Sequence, residues 1–132
     1  MPVTVLLPQE IRFFVTMIPE RAQDLPLEVD IHTVHAWLDS RRDWVLIDCR
    51  EESEHAMAAI DGAELMPMSR WPEVSAKLQA WGDRHLVVHC HHGGRSLRVV
   101  QWLRQHGFPT AQSMAGGIDA WSLEIDPQIP RY

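Results

Sequence analysis

The chain has 132 residues, a length that fits one domain, and 45% of them are hydrophobic, enough for a packed core. Its formal net charge of −6 argues against a nucleic-acid partner, which would require a basic face. The two cysteines exclude a disulfide framework, and a reactive thiol needs a reducing compartment, so the cytoplasm is the expected location.

Residues 1–28 read as an N-terminal extension. Four of the nine prolines fall there (Pro2, Pro8, Pro19 and Pro26), yet Ile11, Phe13, Phe14, Val15, Met17 and Ile18 are too apolar for a solvated linker. The expectation is a segment that docks on the domain or on a second copy, giving a homodimer. No positive charge precedes Arg12, which makes Val3-Thr4-Val5-Leu6-Leu7 a poor signal peptide. No apolar run is long enough to span a bilayer, so no membrane partner is expected.

Residues 29–132 read as the domain itself. Leu27-Glu28-Val29 is an edge strand, and Asp30 caps a helix running through Leu38 with Ile31, Val34, His35 and Leu38 on one face. Trp44 to Cys49 is a nearly continuous apolar strand, as expected when both faces are covered. A helix from Glu51 to Ala59, a strand Glu64-Leu65-Met66 and a helix from Trp71 to Trp81 follow. His85 to Cys90 is a strand, Ser96 to His106 a helix closed by Gly107, Ala111 to Met114 a strand and Gly117 to Leu123 a helix. Strands alternating with helices predict an α/β fold: a mostly parallel sheet of about five strands with helices on both faces. Ligands in such folds bind beyond the carboxyl ends of strands, where Cys90 falls.

The stretch His89-Cys90-His91-His92-Gly93-Gly94-Arg95-Ser96 carries the chemistry. Gly93 and Gly94 let the turn curl, and successive N–H groups in such a turn form an anion-binding nest. The unpaired first N–H groups of the next helix add the positive end of its dipole. A cysteine at the base of that nest has a depressed pKa. Arg95 supplies a planar cation suited to oxyanions, and Ser96 a hydroxyl that caps the helix or bonds an anion. The pattern specifies a nucleophilic thiolate beside a small-anion cradle. His91 and His92 either rim that pocket or are solvated loop residues, and their backbone N–H groups belong to the cradle in both cases.

Cys-x-x-Gly-x-Arg-Ser after a buried strand resembles the active loop of rhodanese-type sulfurtransferases. Leu46-Ile47-Asp48-Cys49-Arg50 is similar to the strand end of that family, and Gly116-Gly117-Ile118-Asp119-Ala120-Trp121 to its closing motif. Three motifs in register are far more specific than one. The loop and the tail Asp-Pro-Gln-Ile-Pro-Arg-Tyr also resemble rhodanese domains fused behind adenylyltransferases of ubiquitin-like proteins. The resemblance implies a three-layer rhodanese-like fold, no cofactor, and transfer of sulfane sulfur through a Cys90 persulfide. The donor would be a small anion such as thiosulfate, the acceptor a thiol, cyanide or a protein. Cys90 would be catalytic; His91, His92, Gly93, Gly94, Arg95 and Ser96 would bind the donor. A second possibility is a low-turnover persulfide carrier or regulatory module that works with a partner protein. One departure stands out. The family usually reads Gly-His-Ile-x-Gly-Ala where this chain has Ala58-Ala59-Ile60-Asp61-Gly62-Ala63, so altered packing is expected there.

Two other readings of the loop are weaker. Cysteine phosphatases place five residues between Cys and Arg, a ring that fits a tetrahedral phosphate, whereas four lie between Cys90 and Arg95. His89, Cys90, His91 and His92 are metal-ligand types, but contiguous residues do not readily converge on one tetrahedral ion. Cys49 is expected in the core, with a resolving thiol for Cys90 as the alternative. Asp48 and Arg50 are expected to order the strand end through an ion pair. Trp71 is a core residue or a wall of the pocket mouth.

Overall fold

The computed structural model describes residues 25–132, leaving aside the side chains of Pro72, Val74 and Ser75. The expected extension therefore lies outside the described residues, except for its last four. Five strands form one parallel sheet: β1 (Glu28–Val29), β2 (Trp44–Asp48), β3 (Glu64–Leu65), β4 (His85–His89) and β5 (Gln112–Met114), in the order β1-β5-β4-β2-β3. The helices are α1 (Ile31–Ser40), α2 (Glu52–Met57), α3 (Trp71–Trp81), α4 (Gly94–Gln105) and α5 (Gly117–Glu124), with one 3₁₀ turn at Met68–Arg70. The expected α/β architecture and strand number are present.

Strand alternation splits the core into two halves. Val45, Ile47 and Cys49 of the β2 segment, with Leu86, Val88 and Cys90 of the β4 segment, point to one face. There they meet Leu78 of α3 and Val99, Val100 and Leu103 of α4. Leu46, Val87 and Met114 point to the other face and meet Ile31 and Val34 of α1 and Ile118 and Trp121 of α5. The result is three layers, helix–sheet–helix. Each fully buried Leu or Val contributes about 1.5–3 kcal/mol of transfer free energy.

The element ends follow local chemistry. Asp30 caps α1, its carboxylate accepting from the Thr33 N–H at 2.9 Å and the Thr33 hydroxyl at 3.1 Å. The α2 helix stops at Met57 rather than Ala59, because Ala58 is extended and turns its carbonyl to Arg50 Nη2 at 2.6 Å. The α4 helix starts at Gly94, two residues before the expected start, because Gly93 caps it in the left-handed conformation at φ 111°. Residues 26–29 are stitched to the sheet edge: Pro26 O accepts from Arg104 Nη2 and Gln112 Nε2, and Leu27 O from the Ser113 N–H at 2.7 Å. Among the described residues, no helix is long and apolar enough to cross a membrane.

The connections position the site. From β2 the chain leaves toward β3, and from β4 it leaves in the opposite direction toward β5, so the strand order reverses between β2 and β4. A crevice opens at the carboxyl ends of strands at such a reversal. The residues just past those two ends are Cys49 and Cys90.

Candidate active site

The Cys90 sulfur lies on the floor of a loop, where the amides of Gly93 and Ser96 face it. The Gly93 N–H donates to Sγ at 3.1 Å and the Ser96 N–H at 3.4 Å, and the Ser96 hydroxyl is 3.4 Å away. The side chain is only 1% exposed, so the sulfur is covered but polar groups meet it. Ser96 Oγ is itself held by the Gly93 carbonyl at 3.2 Å and by Ser113 Oγ at 2.7 Å. The Cys90 thiol is held well below its ordinary pKa. A hydrogen bond from the Cys49 thiol contributes most; the Ser96 hydroxyl and the Ser96 and Gly93 amides add to it and together outweigh the burial penalty.

The amides face inward because the closing motif holds the carbonyls outward. The N–H groups of Ile118 and Asp119 donate to the carbonyls of Cys90 at 3.0 Å and His91 at 3.1 Å. This requires the α5 N-terminus to press against the loop. Gly117 allows it: at φ 61°, a Cβ there would sit 2.6 Å from Cys90 O and would strike His91 O. Gly117→Ala is therefore expected to cost about 1–3 kcal/mol through overpacking and backbone strain. It should also raise the Cys90 pKa as the loop amides turn away. Thermal denaturation and the pH dependence of Cys90 alkylation measure the two effects.

Arg95 does not point an unpaired charge at the sulfur. Its guanidinium forms a fork on Glu54, with Nη1–Oε1 at 2.6 Å and Nη2–Oε2 at 2.8 Å. This pair pushes the Glu54 carboxyl down to about 2. The Tyr132 hydroxyl also donates to Glu54, at 2.8 Å. His91 and His92 stack on each other with centroids 3.9 Å apart, and His91 stacks at the same distance on Tyr132. His92 is exposed, whereas burial lowers the His91 pKa and so favours a neutral ring. The two rings thus form one wall with Tyr132 and are not both solvated.

Beneath the loop, on the other face of the sheet, lies a buried charged network. Arg50 donates to both Asp48 oxygens, at 2.9 and 2.8 Å, and both side chains are fully buried. It also reaches Tyr132 Oη at 2.8 Å and the carbonyls of Glu54 and Ala58. Burial alone would raise the Asp48 pKa; Arg50, His89 and His55 outweigh it and lower it. His89 Nδ1 donates to the Cys90 carbonyl at 3.2 Å, since a carbonyl only accepts. The expected structural role of Asp48 and Arg50 matches this arrangement. Trp71 is half-buried against the core cluster that contains both cysteines, its indole N–H donating to Met66 O.

Glu54, Ser113 and Tyr132 were not among the expected site residues. Only Tyr132 had a local signal, as the end of the Asp-Pro-Gln-Ile-Pro-Arg-Tyr tail. Glu54 and Ser113 reach the site by packing alone. A groove of about 620 Å³ is lined by Leu38, His55, Ala59, Ile60, Trp121 and Ile129 among others and does not include the Cys90 loop. It adjoins Ala58-Ala59-Ile60, where the small side chains depart from the usual pattern.

Fold and site together define a three-layer α/β domain with a buried cysteine in an amide-lined anion loop at the sheet reversal. The match to the family described as rhodanese-like domain covers residues 31–124, and the chain belongs to that family. It is 37% identical over 91 residues to the rhodanese-like/PpiC domain-containing protein 12, chloroplastic, of Arabidopsis thaliana, covering 66% of this chain and 30% of that protein. It is 35% identical over 96 residues to the probable adenylyltransferase/sulfurtransferase MoeZ of Mycobacterium tuberculosis, covering 73% of this chain and 24% of that protein. The chain thus spans less than a third of these relatives. Among solved structures, the human single-domain sulfurtransferase TSTD1 superposes with a TM-score of 0.63 at 25% identity, covering 75% of this chain and 97% of that one.

Proposed function

We propose that this domain is a thiosulfate-type sulfurtransferase working through a Cys90 persulfide. The observation that carries the reading is the convergence of the Gly93 and Ser96 amides and the Ser96 hydroxyl on one buried sulfur. Oriented dipoles in a covered site stabilise an anion without reorganising, first the thiolate and then the persulfide. The Cys90 thiolate attacks the outer sulfur of the donor, sulfite leaves with the bonding pair, and Cys90 carries the persulfide. A second nucleophile then takes the outer sulfur, a two-step covalent scheme. The donor's oxyanion end binds at the first-turn amides of α4 and at Arg95, once the guanidinium exchanges Glu54 for the donor. The thiolate chemistry suits a reducing compartment, which supports a cytoplasmic setting.

The Arg95–Glu54 pair favours a second reading. With that guanidinium neutralised by a carboxylate, the loop suits a persulfide delivered by a partner protein as well as a free dianion. The domain would then be a carrier with little turnover on small molecules. The sulfurtransferase activity in the names of relatives such as MoeZ supports both versions.

Incubation with thiosulfate followed by intact-mass measurement tests the chemistry, with a gain of one sulfur, removable by reductant, expected. Adding cyanide and reading thiocyanate separates the versions. Sustained turnover supports the enzyme; a persulfide that forms once and persists supports the carrier. If no sulfur is gained from thiosulfate or from a protein persulfide donor, both are overturned.

A further inference from the structure

Cys49 is a second buried thiol that this scheme leaves unused. The register pairs Asp48 of β2 with His89 of β4, so the next residues, Cys49 and Cys90, lie side by side past two adjacent parallel strands. The Cys49 N–H donates to the His89 carbonyl at 3.0 Å, which extends the pairing up to the cysteines. Both side chains fall on the same face, in the same core cluster, 0% and 1% exposed. Adjacent strands run about 4.8 Å apart. That lies inside the range of about 4.4–6.8 Å between Cα atoms that a disulfide spans. Each of the two thiols is also the largest influence on the other's pKa, raising it at Cys49 and lowering it at Cys90.

We propose that Cys49 discharges the Cys90 persulfide within the chain, releasing hydrosulfide and closing a Cys49–Cys90 disulfide that an external dithiol reopens. This rests on the persulfide reading above and adds a second product to it. In loading, the Cys90 thiolate takes the outer sulfur of thiosulfate and sulfite departs. In discharge, the Cys49 sulfur attacks the inner sulfur of the persulfide. The outer sulfur leaves with the bonding pair and takes up the Cys49 proton as hydrosulfide. The oxidising equivalent comes from the sulfane sulfur itself, so no further oxidant enters. A dithiol then reduces the disulfide and restores both thiols. The summed reaction consumes thiosulfate and a dithiol and yields sulfite, hydrosulfide and an oxidised dithiol.

The surroundings favour this order. While Cys90 is a thiolate, its charge and its hydrogen bond, with burial, keep Cys49 protonated and unreactive. Loading moves the charge onto the outer sulfur, away from Cys49. Cys49 already lies beside the inner sulfur, the condition under which an intramolecular attack gains most.

The test uses reduced protein freed of reductant, mixed with thiosulfate in the absence of oxygen. The expected course for the unaltered protein is a gain of one sulfur, then its loss together with two hydrogens, while free sulfide appears in step. A peptide map without reduction should show Cys49 linked to Cys90. Cys49→Ala and Cys49→Ser should gain the sulfur more slowly, since Cys90 loses the Cys49 contribution to its lowered pKa, but should then keep it, with loss of sulfide release. A persulfide as long-lived in the unaltered protein as in these variants, or sulfide release with no linked peptide, overturns the proposal and leaves the persulfide reading standing. The linked peptide in the unaltered protein decides the matter even if both variants misfold. Failure of every form to gain sulfur overturns the persulfide reading instead.

Discussion

Cys90→Ser is expected to reduce sulfur transfer by about 10⁴-fold or more, to the background rate, as removal of a covalent nucleophile does elsewhere. The serine hydroxyl occupies the same bowl, but it does not ionise there, so the amides of Gly93 and Ser96 have no anion to hold. The unaltered thiol should react with an alkylating reagent at a rate that persists as pH falls below the ordinary thiol value of about 8.5, because its pKa is lowered in the fold. The same shift links pH to stability. Between the folded and unfolded values the folded chain holds fewer protons at Cys90, so stability rises with pH toward the unfolded value. It is lost as pH falls through the folded value. Above the ordinary thiol value the sign reverses at Cys49, whose pKa the fold raises and which the unfolded chain would ionise. Denaturation of both forms across pH should therefore show a dependence in the unaltered protein that Cys90→Ser flattens. An alkylation profile with an ordinary midpoint would overturn this account of the loop.

Asp48→Asn carries the largest expected cost in stability. The substitution leaves the Arg50 guanidinium fully buried with its counter-charge gone. Removing one partner of a buried pair costs about 3–5 kcal/mol, because the remaining charge stays uncompensated. Arg50 also ties the β2 end to the α2 C-terminus and to Tyr132, so the loss should spread to the tail and to the Glu54–Arg95 pair. Urea denaturation and the melting temperature measure it. Replacing both partners with apolar residues, as in Asp48→Leu with Arg50→Met, should recover much of the loss, since no charge is then stranded. The lowered Asp48 pKa has a matching sign: this contribution is complete above the ordinary carboxylate range and is lost as pH falls through the folded value.

The strand-by-strand order was legible because it rests on short-range patterns. Trp44 to Cys49 and His85 to Cys90 are apolar runs with no other stable use than a covered sheet, and Asp30 signals its own helix start. The α4 start was misplaced by two residues because Gly93 looks like loop until its left-handed cap is seen. Arg95 shows a different limit. Its place after Gly93-Gly94 marks it as an anion ligand, but Glu54, 41 positions away, holds it in this conformation.

Local residue order alone was enough for the cysteine at the strand end, the turn that curls around it and the alternating elements that present it, since each depends on neighbours within a few positions. Three-dimensional packing was needed to set which partners meet there. Cys49 lies beside Cys90, Glu54 grips Arg95, Tyr132 stacks on His91, and the α5 amides hold the loop carbonyls. The physical reason is that strand order and helix docking bring together residues separated by tens of positions. No local periodicity encodes those distances.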